Sequence, residues 1–138
     1  MPLIELTAPE GSLTESGRAT IQKTLVATLM RWEGAPDNAF FRSISWSYLH
    51  EVPADAQTTA EDGEPRFLVK VTVPAGAVSD KQKEGLVADA TKDVLAAAGL
   101  GEDQALRVWV LITEQADGTW GGGGQIFRYA DLVALANG

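Results

Sequence analysis

The residue with the most unusual chemical potential in this chain is the proline at position 2. It stands in Met1-Pro2-Leu3-Ile4-Glu5-Leu6, an apolar run that reads as a strand, and a proline at the first position of a strand costs no ladder hydrogen bond. If Met1 is removed after synthesis, Pro2 becomes a terminal secondary amine, the one state in which a proline nitrogen takes up a proton. If Met1 stays, the same nitrogen is a tertiary amide and has no basicity. The other titratable candidates are weaker. His50 beside Glu51 has the makings of a proton relay, but a single histidine in a polar stretch is usually solvated. Glu114, after Ile112-Thr113, is a carboxylate at a strand end, a place for an acid-base group or simply for a surface charge. With one histidine in the chain no Ser-His-Asp arrangement can be assembled. The run Gly121-Gly122-Gly123-Gly124 has no Lys-Ser/Thr pair after it, so it is not a phosphate loop and reads as a flexible stretch beside Trp120.

Composition narrows the partners. The 138 residues suit one compact domain, and hydrophobic and charged fractions of 45% and 22% are those of an ordinary globular chain. The absence of cysteine removes disulfides, thiolate ligands and a cysteine nucleophile, and one histidine is too few for an imidazole-based metal site; neither metal nor cofactor is expected. A net charge of -8 disfavours nucleic acid, whose phosphates require clustered cations. No apolar run is long enough to span a membrane and the start lacks the features of a signal peptide, which makes the cytoplasm the expected location.

The elements that must hold Pro2 in place come twice. Thr7-Ala8-Pro9-Glu10-Gly11 matches Thr72-Val73-Pro74-Ala75-Gly76 at a spacing of 72 − 7 = 65 residues, and the same spacing pairs Leu3-Ile4-Glu5-Leu6 with Leu68-Val69-Lys70-Val71, Gly34 with Gly99 and Arg42 with Arg107. The units are 1–64 and 65–138 of a single domain, each reading strand, helix, strand. The first strand is Leu3 to Thr7. Thr14 is placed to cap the helix after it, which carries Ile21, Leu25, Leu29 and Trp32 on one face and stops at Gly34; Gly17 weakens its first turn by roughly 1 kcal/mol. In the second unit Ser79 and Gln82 have capping-box spacing, Leu86, Val87, Ala90, Val94 and Leu95 form the apolar face, and Gly99 ends the helix. The second strands are expected at Phe40 to Leu49 and Arg107 to Thr113, the spacing of 65 setting Ser43, Ser45 and Ser47 against Val108, Val110 and Ile112. His50 to Pro65 reads as an extended connection, Asp117-Gly118 as a turn, and Tyr129 to Ala136 as a short helix. The fold class is α+β: a tandem βαβ repeat forming a four-stranded sheet with two helices on one face. Apolar residues on both faces of the second strands point to a subunit interface.

Met1-Pro2-Leu3-Ile4 opening a strand, two βαβ units, and in the second unit Gly76, Ser79-Asp80-Lys81-Gln82-Lys83, Val110-Leu111-Ile112-Thr113-Glu114 and Trp120-Gly121-Gly122-Gly123-Gly124 together resemble the tautomerase superfamily. The likeness is to fused members, in which two 4-oxalocrotonate-tautomerase-like units are joined head to tail, and it spans nearly the whole chain. The resemblance implies an isomerase that moves a proton between the keto and enol forms of a 2-oxo or enol acid, with Pro2 as base, acting without a cofactor as a homotrimer. It implies that an aromatic residue, here Trp120, walls the pocket and that arginines hold the substrate. The family's loop arginine is replaced by Ser12-Leu13 and Ala77-Val78, and its strand arginine falls on Trp109, which leaves Arg42 and Arg107 as the nearest cations. Position 67 is Phe67 where the first unit has Pro2, so one amine per chain is expected. Two other readings fit the same residues: a non-catalytic relative that keeps the fold as a binding or assembly module, and a ferredoxin-like dimer of the small monooxygenase kind in which Pro2 is incidental.

Overall fold

The computed structural model describes residues 1–138. Strand β1 (Leu3–Pro9) leads into helix α1 (Glu15–Glu33), a single turn of helix α2 (Ala39–Ser43) and strand β2 (Trp46–Val52). The second half repeats the plan with β3 (Phe67–Pro74), α3 (Asp80–Ala98), a 3-10 segment at Glu102–Arg107 and β4 (Val108–Gln115). A hairpin, β5 (Trp120–Gly122) and β6 (Gln125–Phe127), and helix α4 (Tyr129–Asn137) complete the chain. No helix is long and apolar enough to cross a membrane.

The main sheet has the order β2-β1-β3-β4. β1 runs parallel to β2, β3 runs parallel to β4, and the two units meet through the antiparallel β1–β3 pair, in which Leu3 faces Thr72 and Thr7 faces Leu68. Alternation along the central strands decides which face is covered. Ile4, Leu6 and Ala8 of β1 and Val69, Val71 and Val73 of β3 are buried in one cluster with Ile21, Leu25 and Leu29 of α1 and Leu86, Ala90 and Val94 of α3. The other face carries no helix, and it exposes Trp46 (57%), Trp109 (67%), Tyr48 and Leu111.

Both long helices start and stop as their caps dictate. Thr14 accepts from the Gly17 amide and Ser79 forms a full capping box with Gln82, while Gly34 and Gly99 close the helices in the left-handed conformation at φ 76° and 68°. Their mutual packing adds polar ties. The Thr28 hydroxyl donates to Asp93 at 2.6 Å, and Trp32 Nε1 donates to Asp89 at 2.8 Å. The hydrogen bonds from Trp32 and Arg31 hold the Asp89 carboxyl below its ordinary value, whereas burial pushes that of Asp93 up.

Two expectations are corrected. The stretch expected to be strand from Phe40 begins instead as helix α2, because the Asn38 side chain caps it by accepting from the Phe41 amide at 2.9 Å, and β2 starts only at Trp46. The spacing of the repeat also changes between helix and second strand. Trp46 lies beside Leu3 and Trp109 beside Leu68, so the second strands are related by 109 − 46 = 63 residues. Ser45 and Ser47 therefore correspond to Val108 and Val110, and the two tryptophans occupy the same place in their units. Because the slip is an even number, each side chain keeps its face.

Gly17 has a reason to be in a helix. A Cβ there would lie 2.1 Å from the Ala97 carbonyl oxygen, the group that also accepts from the Thr14 amide at 2.9 Å. Gly17→Ala is thus expected to destabilise the fold by about 2 kcal/mol through overpacking, despite the gain of roughly 1 kcal/mol that alanine gives a free helix. Chemical denaturation checks this, and an unchanged or increased stability contradicts it.

Candidate active site

The antiparallel β1–β3 pair sets the start of β1 at the same end of the sheet as the end of β4, with β3 between them, and the segment after β4 folds back over it. Pro2 is fully buried, and its carbonyl accepts from the Trp46 amide at 3.0 Å, which ties the terminus to β2. Above it stands the β5–β6 hairpin, whose two-residue turn is Gly123-Gly124, both at positive φ (59° and 83°), the pattern favoured in tight hairpins. Helix α4 is fastened over the same region by the Asp117 carboxylate, which accepts from the Tyr129 amide at 2.8 Å. Together these elements enclose a cavity of about 370 Å³ lined by Pro2, Phe40, Ile44, Trp46, Trp120 and Leu132, among others. That is room for a small organic ligand. None of its lining side chains is charged.

Met1 stands at the rim. Its thioether methyl would lie 2.7 Å from a Cβ at Gly122, so only the absence of a side chain there admits it. On the other side Met1 and Glu33 share a smaller hollow with Tyr129 and Val133. Burial pulls the Met1 ammonium below its ordinary value, with the Glu33 charge opposing; burial pushes the Glu33 carboxyl up, with the ammonium opposing. One Glu33 oxygen, Oε2, is buried with no hydrogen-bond partner.

The residues singled out in the sequence divide between two places. Pro2 and Trp120 line the cavity just described. Arg107 and Trp109 line a second one of about 560 Å³, together with Arg66, Phe67 and Leu68. This is the counterpart of the first under the repeat, with Phe67 where Pro2 stands and the connection 56–60 where the first has its glycine hairpin. Arg107 is held by Gln104 and by the Pro65 carbonyl. Arg42 lines neither cavity and pairs with Asp37 at 2.6 Å on the surface. His50 bonds Glu5 at 3.0 Å rather than Glu51, which pairs with Arg18, and Glu114 pairs with Lys83 at 3.4 Å. No group of His, Cys, Asp and Glu side chains is placed to hold a metal ion.

Sequence reasoning did not find Phe40, Ile44, Leu132 or Glu33. The first two precede β2 and were assigned to a strand, and Leu132 reads only as part of a terminal helix. Glu33 had a signal: a charged residue one position before a helix-ending glycine, on the turn that meets the N-terminus.

No protein-family model matches the sequence, and no curated protein does. Solved structures do match in fold. The chain is similar to the Q0 fused 4-OT wild type symmetric trimer, with 22% identity, a TM-score of 0.75 and coverage of 99% of this chain and 98% of that one. It is similar to Pt0534 inactivated by 2-oxo-3-pentynoate, with 20% identity, a TM-score of 0.76 and coverage of 90% and 94%. A third is macrophage migration inhibitory factor from Toxoplasma gondii, at 12% identity, a TM-score of 0.68 and coverage of 91% and 99%.

The desolvated Glu33 makes a test of the site's electrostatics. A carboxyl whose value is raised on folding binds its proton more tightly in the folded state, so its favourable contribution is present below the ordinary carboxylate range and lost as pH rises through the raised value. Glu33→Gln should then melt higher than the parent at neutral pH and match it at acid pH; a variant less stable at neutral pH contradicts this. With the cavity, its hairpin and the parallel pairs in place, the chain carries the tautomerase-like fold in its fused, two-unit form.

Proposed function

We propose that this chain is a tautomerase in which Pro2, freed by removal of Met1, is the general base. The single observation that carries the reading is the full burial of Pro2 at the floor of an apolar cavity of substrate size. An α-amine titrates near about 7.7–8.0 when exposed, and an apolar surrounding lowers that value, which raises the share of free base at neutral pH. The nitrogen removes the hydroxyl proton of a bound enol and becomes a secondary ammonium. It then delivers the proton to the adjacent carbon as the carbonyl forms, and ends as the free amine; the reverse steps convert keto to enol. Trp120 and Phe40 close the cavity around the reacting atoms and keep out water. Met1 occupies the space next to the Pro2 nitrogen, so its removal both creates the base and clears room for the substrate.

The roles of the two units differ in this reading. Unit 1–64 supplies the amine, while 65–138 supplies the hairpin and α4 that cover it. Fused 4-OT relatives in fold form trimers, and the uncovered sheet face with Trp46, Tyr48, Trp109 and Leu111 is the surface through which we place a homotrimer here. Light scattering at one or two chain masses contradicts that assembly.

A second reading has an observation of its own. With Met1 in place its methyl sits over Gly122 and its carbonyl acylates the Pro2 nitrogen, so a chain that keeps Met1 has a filled site and no proline base. Such a protein is a non-catalytic binding or assembly module. Intact mass and turnover of phenylenolpyruvate or a related enol separate the two. The proposal expects a chain beginning at Pro2, proton transfer by the mature protein, and a loss of about 10²–10⁴-fold in Pro2→Ala, the usual contribution of a general base. Undiminished turnover by Pro2→Ala, or a retained Met1, overturns it.

A further inference from the structure

We propose that the cavity around Pro2 selects uncharged, apolar carbonyl and enol compounds over their carboxylate analogues, and that Ile44 is the residue that sets this preference. The inference rests on the proton-transfer reading above. Its first observation is the lining itself, in which aromatic and aliphatic side chains and a glycine hairpin surround Pro2 and no lysine or arginine is present. A carboxylate moved from water into such a place loses its hydration and gains no partner, whereas a neutral ester or ketone of the same shape does not.

The second observation comes from comparing the two units. Ile44 stands two residues before Trp46 and Arg107 stands two before Trp109, and these tryptophans hold the same position in the sheet beside Leu3 and Leu68. The counterpart cavity therefore has a guanidinium where the Pro2 cavity has an aliphatic side chain, and each of the two residues lines its own cavity. The cation and the amine have been allotted to different ends of the sheet. A cavity with Phe67 can bind an anion beside Arg107 but has no base; the cavity with Pro2 has the base but no lysine or arginine of its own chain to hold an anion.

The third observation is the sign of the nearest charge. Glu33 shares the hollow beneath Met1, and no lysine or arginine lines that hollow to offset it. Once ionised, its carboxylate repels a second anion next to the Pro2 nitrogen and favours the ammonium that forms during proton transfer.

The test uses the mature full-length protein and a matched pair of substrates, phenylenolpyruvate and its methyl ester, which differ in one charge and share the enol. Wild type should ketonise the ester with a kcat/KM at least tenfold above that of the acid. Ile44→Arg, which copies the residue of the second unit, should raise kcat/KM for the acid about tenfold or more through KM, with the ester changed only a few-fold. Ile44→Gln, of similar length and no charge, should not raise kcat/KM for the acid, and melting curves verify that both variants fold. A wild type that prefers the acid, or an Ile44→Arg protein that is folded and keeps the wild-type ratio, overturns the proposal while leaving Pro2 as base. Turnover of neither compound by a chain that begins at Pro2 removes the proton-transfer reading and this proposal with it.

Discussion

The antiparallel pairing of β1 with β3 is the constraint on which the rest of the molecule depends. Leu3 faces Thr72 and Thr7 faces Leu68, so the beginning of each unit's first strand lies at the level where the other unit's first strand ends. Because β4 runs parallel to β3, the chain leaving β4 emerges at the same end of the sheet as the start of β1. A hairpin and a helix placed there cover Pro2, and by the same relation the connection after β2 covers Phe67. Two cavities follow from the topology of a duplicated βαβ unit, and the residues at their floors decide what each can do.

Packing of the two long helices on the sheet holds this geometry. The two central strands present Ile4, Leu6, Val69, Val71 and Val73 to α1 and α3, and the helices approach closely enough that Gly17 touches the Ala97 backbone and Gly85 lies under the Trp32 ring. Each contact uses the absence of a side chain to let the opposing helix end descend. Polar ties from Thr28 to Asp93 and from Trp32 to Asp89 fix the helices' register along their shared seam. Burial of Pro2 is a consequence of this order: it enters the sheet between two neighbours and is held by the Trp46 amide.

Much of this was legible in the residues, for physical reasons that can be named. Helix ends were visible because Thr14, Ser79, Gly34 and Gly99 satisfy orphaned backbone groups in ways few other residues do. The start of β2 was not, since Phe40-Phe41-Arg42-Ser43 has apolar residues suited to either strand or helix and only the Asn38 cap decides for the helix. That misjudged start also hid the two-residue change of spacing, and with it the equivalence of Ile44 and Arg107. The resemblance set Trp120 beside Pro2, and both line one cavity, but the allotment of Arg107 to one cavity and Pro2 to the other depends on three-dimensional proximity that no spacing in the chain encodes.

The central claim is that the Pro2 nitrogen is a free amine whose basicity is set by an apolar cavity. Selective ¹⁵N labelling of proline, followed by an NMR titration of the mature protein, reads that nitrogen directly, since of the 6 prolines only a terminal one can titrate. The account predicts one titrating resonance with a midpoint below the roughly 7.7–8.0 of an exposed α-amine. A midpoint at or above that range, or no titrating proline nitrogen at all, contradicts it.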